Sequence, residues 1–414
     1  MPELRTIDIV NRNLAKRYRR EKIFKFAGIG AVLLSLLFLL FLFATMASSG
    51  WQSFRQTTIT LNVTLKAEIL QANTLANADY GLLLKNAFYD CFPEVVSPGD
   101  KKNLYALLSN DAPFQLRKMV LDNPKLMGST INIKILAASR VDMYAKHGLT
   151  SNLNEKQLAW ISSLQQSGQL KAGFSLAFLT ATDSREAEQA GILGALLGSL
   201  LTIFITLAIA FPLGVAAAVY LEELATQNRF TDIIEVNINN LAAVPSIIFG
   251  LLGLAVFLNV FGLPRSAPLV GGLVLSLMTM PTIIIASRSA LKAVPPSIRE
   301  AALGVGASKM QTIFHHVIPL AMPGMLTGSI IGMARALGET APLLMIGMVA
   351  FIADAPHSFV DPATALPVQI YLWADSPERG FMEKTSAATL VLVAFIFLIN
   401  IVAIFLRKKF ERKW

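Results

Sequence analysis

Residues 300–319 read Glu300-Ala301-Ala302-Leu303-Gly304-Val305-Gly306-Ala307-Ser308-Lys309-Met310-Gln311-Thr312-Ile313-Phe314-His315-His316-Val317-Ile318-Pro319. The stretch is too polar to cross a bilayer, yet the runs on either side of it are not. Small side chains at Ala301, Ala302 and Ala307 let a short helix lie close to another surface. Gly306 permits a sharp reversal, and Glu300 offers an acceptor to a partner's basic groups. These features suit a docking element, and they suit an ordinary solvated loop as well. Gly304-Val305-Gly306-Ala307-Ser308-Lys309 lacks the spacing and preceding strand of a phosphate-binding loop, so ATP hydrolysis is not expected of this chain. His315 and His316 are adjacent and point to different sides of a helix, which favours a structural role over a metal site.

Outward from this loop the chain is apolar. Of its 414 residues 54% are hydrophobic and 15% charged, against roughly 25% charged in an average soluble domain. The net charge of +9 gathers at the chain ends beside apolar runs, the pattern of a topology signal and not of a nucleic-acid-binding face. Lone Cys91 excludes an internal disulfide framework or a thiolate metal cluster. Charge-free runs at Ala27–Met46, Ala190–Leu221, Val236–Pro264, Ser266–Ser287 and Thr389–Leu406 are each long enough to span a bilayer, which takes ~20 residues as a helix. A further run between Pro319 and Ile352 contains two ionisable groups, Arg335 and Glu339.

The basic stretch Lys16, Arg17, Arg19, Arg20, Lys22 and Lys25 and the terminal Arg407, Lys408, Lys409, Arg412 and Lys413 place both ends in the cytoplasm, with six crossings between them. Loop 288–319 then also faces the cytoplasm. The acidic loop Asp354–Lys384 lies outside. The expected organisation is a basic cytoplasmic N-terminus at 1–25, a first transmembrane helix at 26–47, an extracytoplasmic segment at 48–188, five further helices within 189–406, and a tail at 407–414. Within 48–188, Ile59, Leu61, Val63 and Leu65 alternate with Thr60, Asn62 and Thr64, a strand pattern, while Tyr80–Phe88 and Glu155–Leu164 have helical periodicity. The segment reads as a small α+β domain.

A charge at mid-membrane costs at least about 2.5 kcal/mol, so Arg335 and Glu339 need compensation. Four residues apart, they share one face of a helix, and Gly324, Gly328, Gly332 and Ala336 form a small-residue stripe along nearly the same face. That face must meet protein. One reading is a buried ion pair that fixes packing. The other is a pathway site, in which the planar guanidinium captures an oxyanion in bidentate fashion and Glu339 holds and releases it, with Thr340 as a further polar lining group. Gly338 and Pro342 flank Glu339 and predict a kink there.

The Glu300-Ala301-Ala302, Gly306 and Pro319 spacing resembles the EAA loop that ABC importer permeases insert into a groove of their nucleotide-binding subunits. His316 and Ile318 stand where that loop commonly has isoleucine and leucine. Val244-Pro245-Ser246-Ile247-Ile248-Phe249-Gly250, Ala334–Leu344 and Ala365-Leu366-Pro367-Val368-Gln369-Ile370 are similar to phosphate transport permeases of the PstA type, from about Gly191 to the C-terminus. Ala341-Pro342-Leu343-Leu344 points to that type over its sister, PstC.

The resemblance implies an all-α integral membrane fold with six transmembrane helices of the ABC importer permease type, carrying the α+β insertion between helices 1 and 2. It implies a multi-pass protein of the bacterial inner membrane that moves inorganic phosphate by alternating access and is not itself an enzyme. Its partners would be the lipid bilayer, a PstC-like sister permease, two PstB-like ATPase subunits and a PstS-like extracytoplasmic phosphate-binding protein. Nucleic acid is not among them. ATP and Mg would reside on the ATPase, leaving this chain no bound cofactor. A permease for sulfate or molybdate, or a membrane sensor or assembly protein that transports nothing, are the rival readings.

Overall fold

The structure is a computed structural model that describes residues 6–66, 70, 72–150 and 152–410. The outermost parts of both expected terminal segments, Arg412 and Lys413 included, lie outside the described residues. Helix α1 (Thr6–Gly50) contains the charge-free run 27–46 and forms a unit by itself.

The segment that follows α1 is built on a three-stranded antiparallel sheet, in the order β2 (Thr130–Leu136), β1 (Arg55–Thr64), β3 (Leu170–Phe174). Alternation decides which face of β1 is covered: Ile59, Leu61 and Val63, with Leu65 just beyond, are fully buried. Helices α2 (Tyr80–Asp90), α3 (Pro98–Tyr105), α4 (Ala112–Asp122), α5 (Ser139–His147) and α6 (Glu155–Gln166) complete the layer over it. Asn154 caps α6 through a reciprocal bond with Gln157, which fixes where that helix starts. The short α7 (Ala177–Thr180) leads back to the apolar helices.

Those helices are α8 (Leu193–Val219), α9 (Arg229–Ala242), α10 (Ser246–Leu252), α11 (Pro268–Lys292), α12 (Pro296–Gly304), α13 (Lys309–Thr312), α14 (Ile318–Gly338), α15 (Ala341–Met345), α16 (Leu366–Ala374) and α17 (Gly380–Phe410). Five described helices are long and apolar enough to cross a membrane, or six if one broken pair counts as a span. The protein is therefore a mostly helical integral membrane protein. Helix α11 lies at its centre, packed on both α8 and α14.

Four expectations need correction. The run Val236–Pro264 is not one straight helix. Helix α9 and the helix made by α10 and its π-helical continuation Gly253–Val260 meet at 103°, because Pro245 disfavours a helical Val244 and opens α10 as its N-cap. The final helix starts at Gly380 and takes Glu383 and Lys384 out of the expected loop, since both are buried there. The loop expected at 288–319 is shorter: α11 runs on to Lys292, and α13 continues through the π turn Ile313–Val317 into α14. Helix α14 stops at Gly338, so Glu339 is extended backbone (φ −82°, ψ 121°) and not part of the helix.

Candidate functional site

The break after α14 is where the structure places Arg335, Glu339 and Thr340. The backbone N–H of Glu339 donates to the Ala336 carbonyl at 3.2 Å, closing the last turn, and Thr340 is the N-cap of α15. Pro342 therefore stands in the first turn of a new helix, where its missing N–H costs nothing. The expected kink is a full break. Even off the helix, Glu339 turns back to Arg335, with Oε1 3.5 Å from Nε.

The stripe starts on the face of the charge and drifts around the helix away from it. Gly324, Gly328 and Gly332 look onto α11, and a Cβ added at Gly324 would lie 2.5 Å from that of Ala290. At Gly328 the added Cβ would collide with the Cβ of Ala286. Gly328, Gly332 and Ala336 are buried. About 60° around the helix from Gly332 and 100° from Ala336, Arg335 stands at the edge of that contact and its side chain is 47% exposed. Ile331 and Gly338 are exposed too, so the side of α14 that carries Arg335 is left open in this chain near the break. Gly338 has no atom within 4 Å of an added Cβ. Beside it, the void between Ser199, Thr202 and Leu275 on one side and Ala336, Leu337 and Leu343 on the other is about 10 Å³. That void is too small for more than a single water.

At the other end of α14, the 300–319 stretch forms two short helices around a tight turn. Gly306 has φ +90°, a conformation that L side chains rarely adopt, and Ser308 caps α13 in a reciprocal bond with Gln311. Ala302 is turned inward and buried, whereas Glu300, Ala301, Leu303 and Val305 are exposed, Val305 at 86%. His315 and His316 are exposed on the π turn, and Pro319 lies in the first turn of α14. The result is a small, partly apolar knob.

An ion-pair belt holds the knob, and sequence reasoning missed it. Arg299, next to Glu300, grips Glu223 with Nη2–Oε1 at 2.6 Å and Nε–Oε2 at 3.3 Å. It also donates to the carbonyls of Leu291 and Val294 at 2.9 and 2.7 Å, satisfying the end of α11. One turn back on α11, Arg288 pairs with Glu235 of α9 at 2.9 Å and with Glu222 at 3.4 Å. Glu222 and Glu223 sit together on the π-helical turn Tyr220–Leu224 that ends α8. Planar guanidinium groups make such bidentate contacts directional. The belt thus ties α8, α9, α11 and α12 into one end. The signal in the sequence was an acidic pair ending a charge-free run of 32 residues, Ala190–Leu221.

Residues 210–414 match a family described as the binding-protein-dependent transport system inner membrane component. Residues 11–155 match a domain of unknown function, DUF3333. A probable ABC transporter permease of Bacillus subtilis, YqgI, is 31% identical over 238 residues, 54% of this chain and 80% of that protein. The phosphate transport system permease protein PstA 1 of Mycobacterium tuberculosis is 34% identical over 222 residues, 52% of this chain and 70% of its own length. An inward-facing structure of the methionine ABC transporter MetNI aligns at 18% identity with a TM-score of 0.41, over 54% of this chain and 95% of that one.

Proposed function

Since the chain belongs to the PstA-like branch of the binding-protein-dependent inner-membrane permeases, we propose that it carries inorganic phosphate through the bacterial inner membrane as one half of an ATP-driven importer. The observation that carries the reading is Arg335 on an open side of α14, held by Glu339 at a helix break, beside a void of only about 10 Å³. A sister permease of the PstC type closes that face and completes the path. The guanidinium meets a phosphate oxyanion in bidentate fashion, and Glu339 keeps it in place between transport events. Thr340, at the same break, supplies a neutral hydroxyl. Gly324, Gly328 and Gly332 fix α14 against α11, and Gly338 leaves the break uncrowded.

The knob around Glu300, Ala301 and Ala302, turned at Gly306, is the contact for an ATPase pair of the PstB type, on which ATP and Mg are bound. Its placement fits cytoplasmic termini and a cytoplasmic 300–319 stretch, with residues 48–188 and a phosphate-binding protein of the PstS type on the opposite side. The belt from Glu222 to Arg299 makes the knob move with α8 and α11, so nucleotide-driven motion reaches the helices that back Arg335. The test is Arg335→Ala. It is expected to abolish ATP-driven phosphate uptake while the four kinds of subunit still co-purify. Normal uptake by an assembled Arg335→Ala transporter would remove the pathway role.

A further inference from the structure

Where the insertion meets the first turns of α17, six charged side chains close around a void of about 10 Å³. Arg55 comes from β1, Asp142 and Lys146 from α5, Glu188 from the segment before α8, and Glu383 and Lys384 from α17. Five of them have compensation. Lys146 Nζ lies 2.6 Å from Asp142 Oδ2 and 3.4 Å from Glu383 Oε2, and Glu383 also pairs with His147. Asp142 Oδ1 accepts the Thr57 backbone N–H at 3.0 Å. Lys384 sits 5.2 Å from the centre of the Phe178 ring, and Arg55 keeps access to solvent.

Glu188 is different. It is 6% exposed, and neither of its carboxyl oxygens has a partner at full hydrogen-bond distance among the described residues, the Ser109 hydroxyl and a backbone N–H being the donors that come nearest. Its backbone is pinned there by a 2.9 Å bond from Gln56 Nε2 to the Glu188 carbonyl. A buried carboxylate without partners is among the costliest arrangements in a protein, and a neutral carboxylic acid is far less costly. We propose that the insertion is latched to α17 by a proton: Glu188 enters the junction as a neutral acid, and the junction loosens when Glu188 ionises and draws in water. The latch would give the DUF3333-matching segment a role, as a body whose grip on a spanning helix depends on pH.

The direction follows from linkage. Burial, with the like charges of Glu186 and Glu378 adding to it, pushes the Glu188 carboxyl up from 4.5 to about 7. The docked form therefore holds a proton that the open form releases. The Glu188 contribution to docking is greatest below about pH 4.5 and is lost as pH rises through about 7. Across that window the docking equilibrium changes on the order of 100-fold. The charged groups facing Glu188 are Arg55 on β1, Asp142 and Lys146 on α5, Glu378 before α17, Glu383 and Lys384 on α17, and Glu186 on its own segment.

The latch does not depend on the cargo, and its test reads no transport. In the assembled transporter in lipid nanodiscs without nucleotide, hydrogen-exchange protection factors are measured for residues 141–147 and 189–190 from pH 5.5 to 8.5. Wild-type protection is expected to fall roughly tenfold or more over this range. Glu188→Gln is expected to hold the acid-side protection throughout. Glu186→Gln, which alters a carboxylate bonded to Asn110 Nδ2 at 2.9 Å, is expected to keep the wild-type response. A flat wild-type profile overturns the latch, as does a Glu188→Gln protein that still responds to pH. So does a Glu188→Gln protein with low protection at every pH, which would show that the site requires a carboxylate.

Discussion

Replacing Arg299 by alanine removes the bidentate contact to Glu223 and two donors to the carbonyls ending α11. Removing one partner of a fully buried pair costs about 3–5 kcal/mol. Here the Arg299 side chain is 24% exposed and that of Glu223 9%, so solvent screening reduces the expected loss to about 2 kcal/mol. That loss falls locally on the docking of α12 against α8 and α11. It should be read as about 30-fold faster hydrogen exchange at the amides of Ala301–Gly304, since about 1.4 kcal/mol is tenfold. Glu223→Gln should do nearly the same, and Arg299→Ala/Glu223→Gln little more than either single change, a coupling of about 1–2 kcal/mol. Arg299→Met/Glu223→Leu should recover much of the stability, because a buried pair can be exchanged for apolar groups at little cost. Additive single effects, with coupling below about 0.5 kcal/mol, would refute the belt as the anchor of the knob.

Two further outcomes follow from the same geometry. Gly328→Val should weaken the α11–α14 contact by about 1–3 kcal/mol through overpacking, lowering the thermal midpoint of the complex. Ala286→Gly in the same chain should restore part of it, and a midpoint unaffected by Gly328→Val would contradict the close approach of the two helices. Val305→Asp should leave the permease pair intact and abolish co-purification of the ATPase, because it places a charge on the most exposed apolar side chain of the knob. Retained ATPase would move the docking surface elsewhere.

Local periodicity and composition made much of the architecture legible. Ile59, Leu61, Val63 and Leu65 announced β1 because a strand with one covered face must alternate, and charge-free runs marked the spanning helices because lipid tolerates little else. Hydropathy counts apolar residues but carries no direction, so the 103° turn between α9 and α10 was invisible in Val236–Pro264. Arg335 and Glu339 were paired from their spacing, and they are paired, but across a helix end and not along a face. Gly338 and Pro342 bore the signal of that end, though a kink and a break have the same residues. The belt and the Glu188 junction were out of reach for another reason. Their partners lie far apart in sequence, 76 residues for Glu223 and Arg299 and 237 for Lys146 and Glu383, and nothing local says that two distant charges will meet.

The most direct test of the phosphate reading is flux. The chain is reconstituted in vesicles with its sister permease, ATPase and phosphate-binding protein, and ATP-driven accumulation of labelled phosphate and of labelled sulfate is followed side by side. Accumulation of phosphate, none of sulfate, and loss of the phosphate signal on Arg335→Ala is the result expected. Sulfate uptake equal to that of phosphate, or no ATP-dependent uptake by the fully assembled complex, would contradict it.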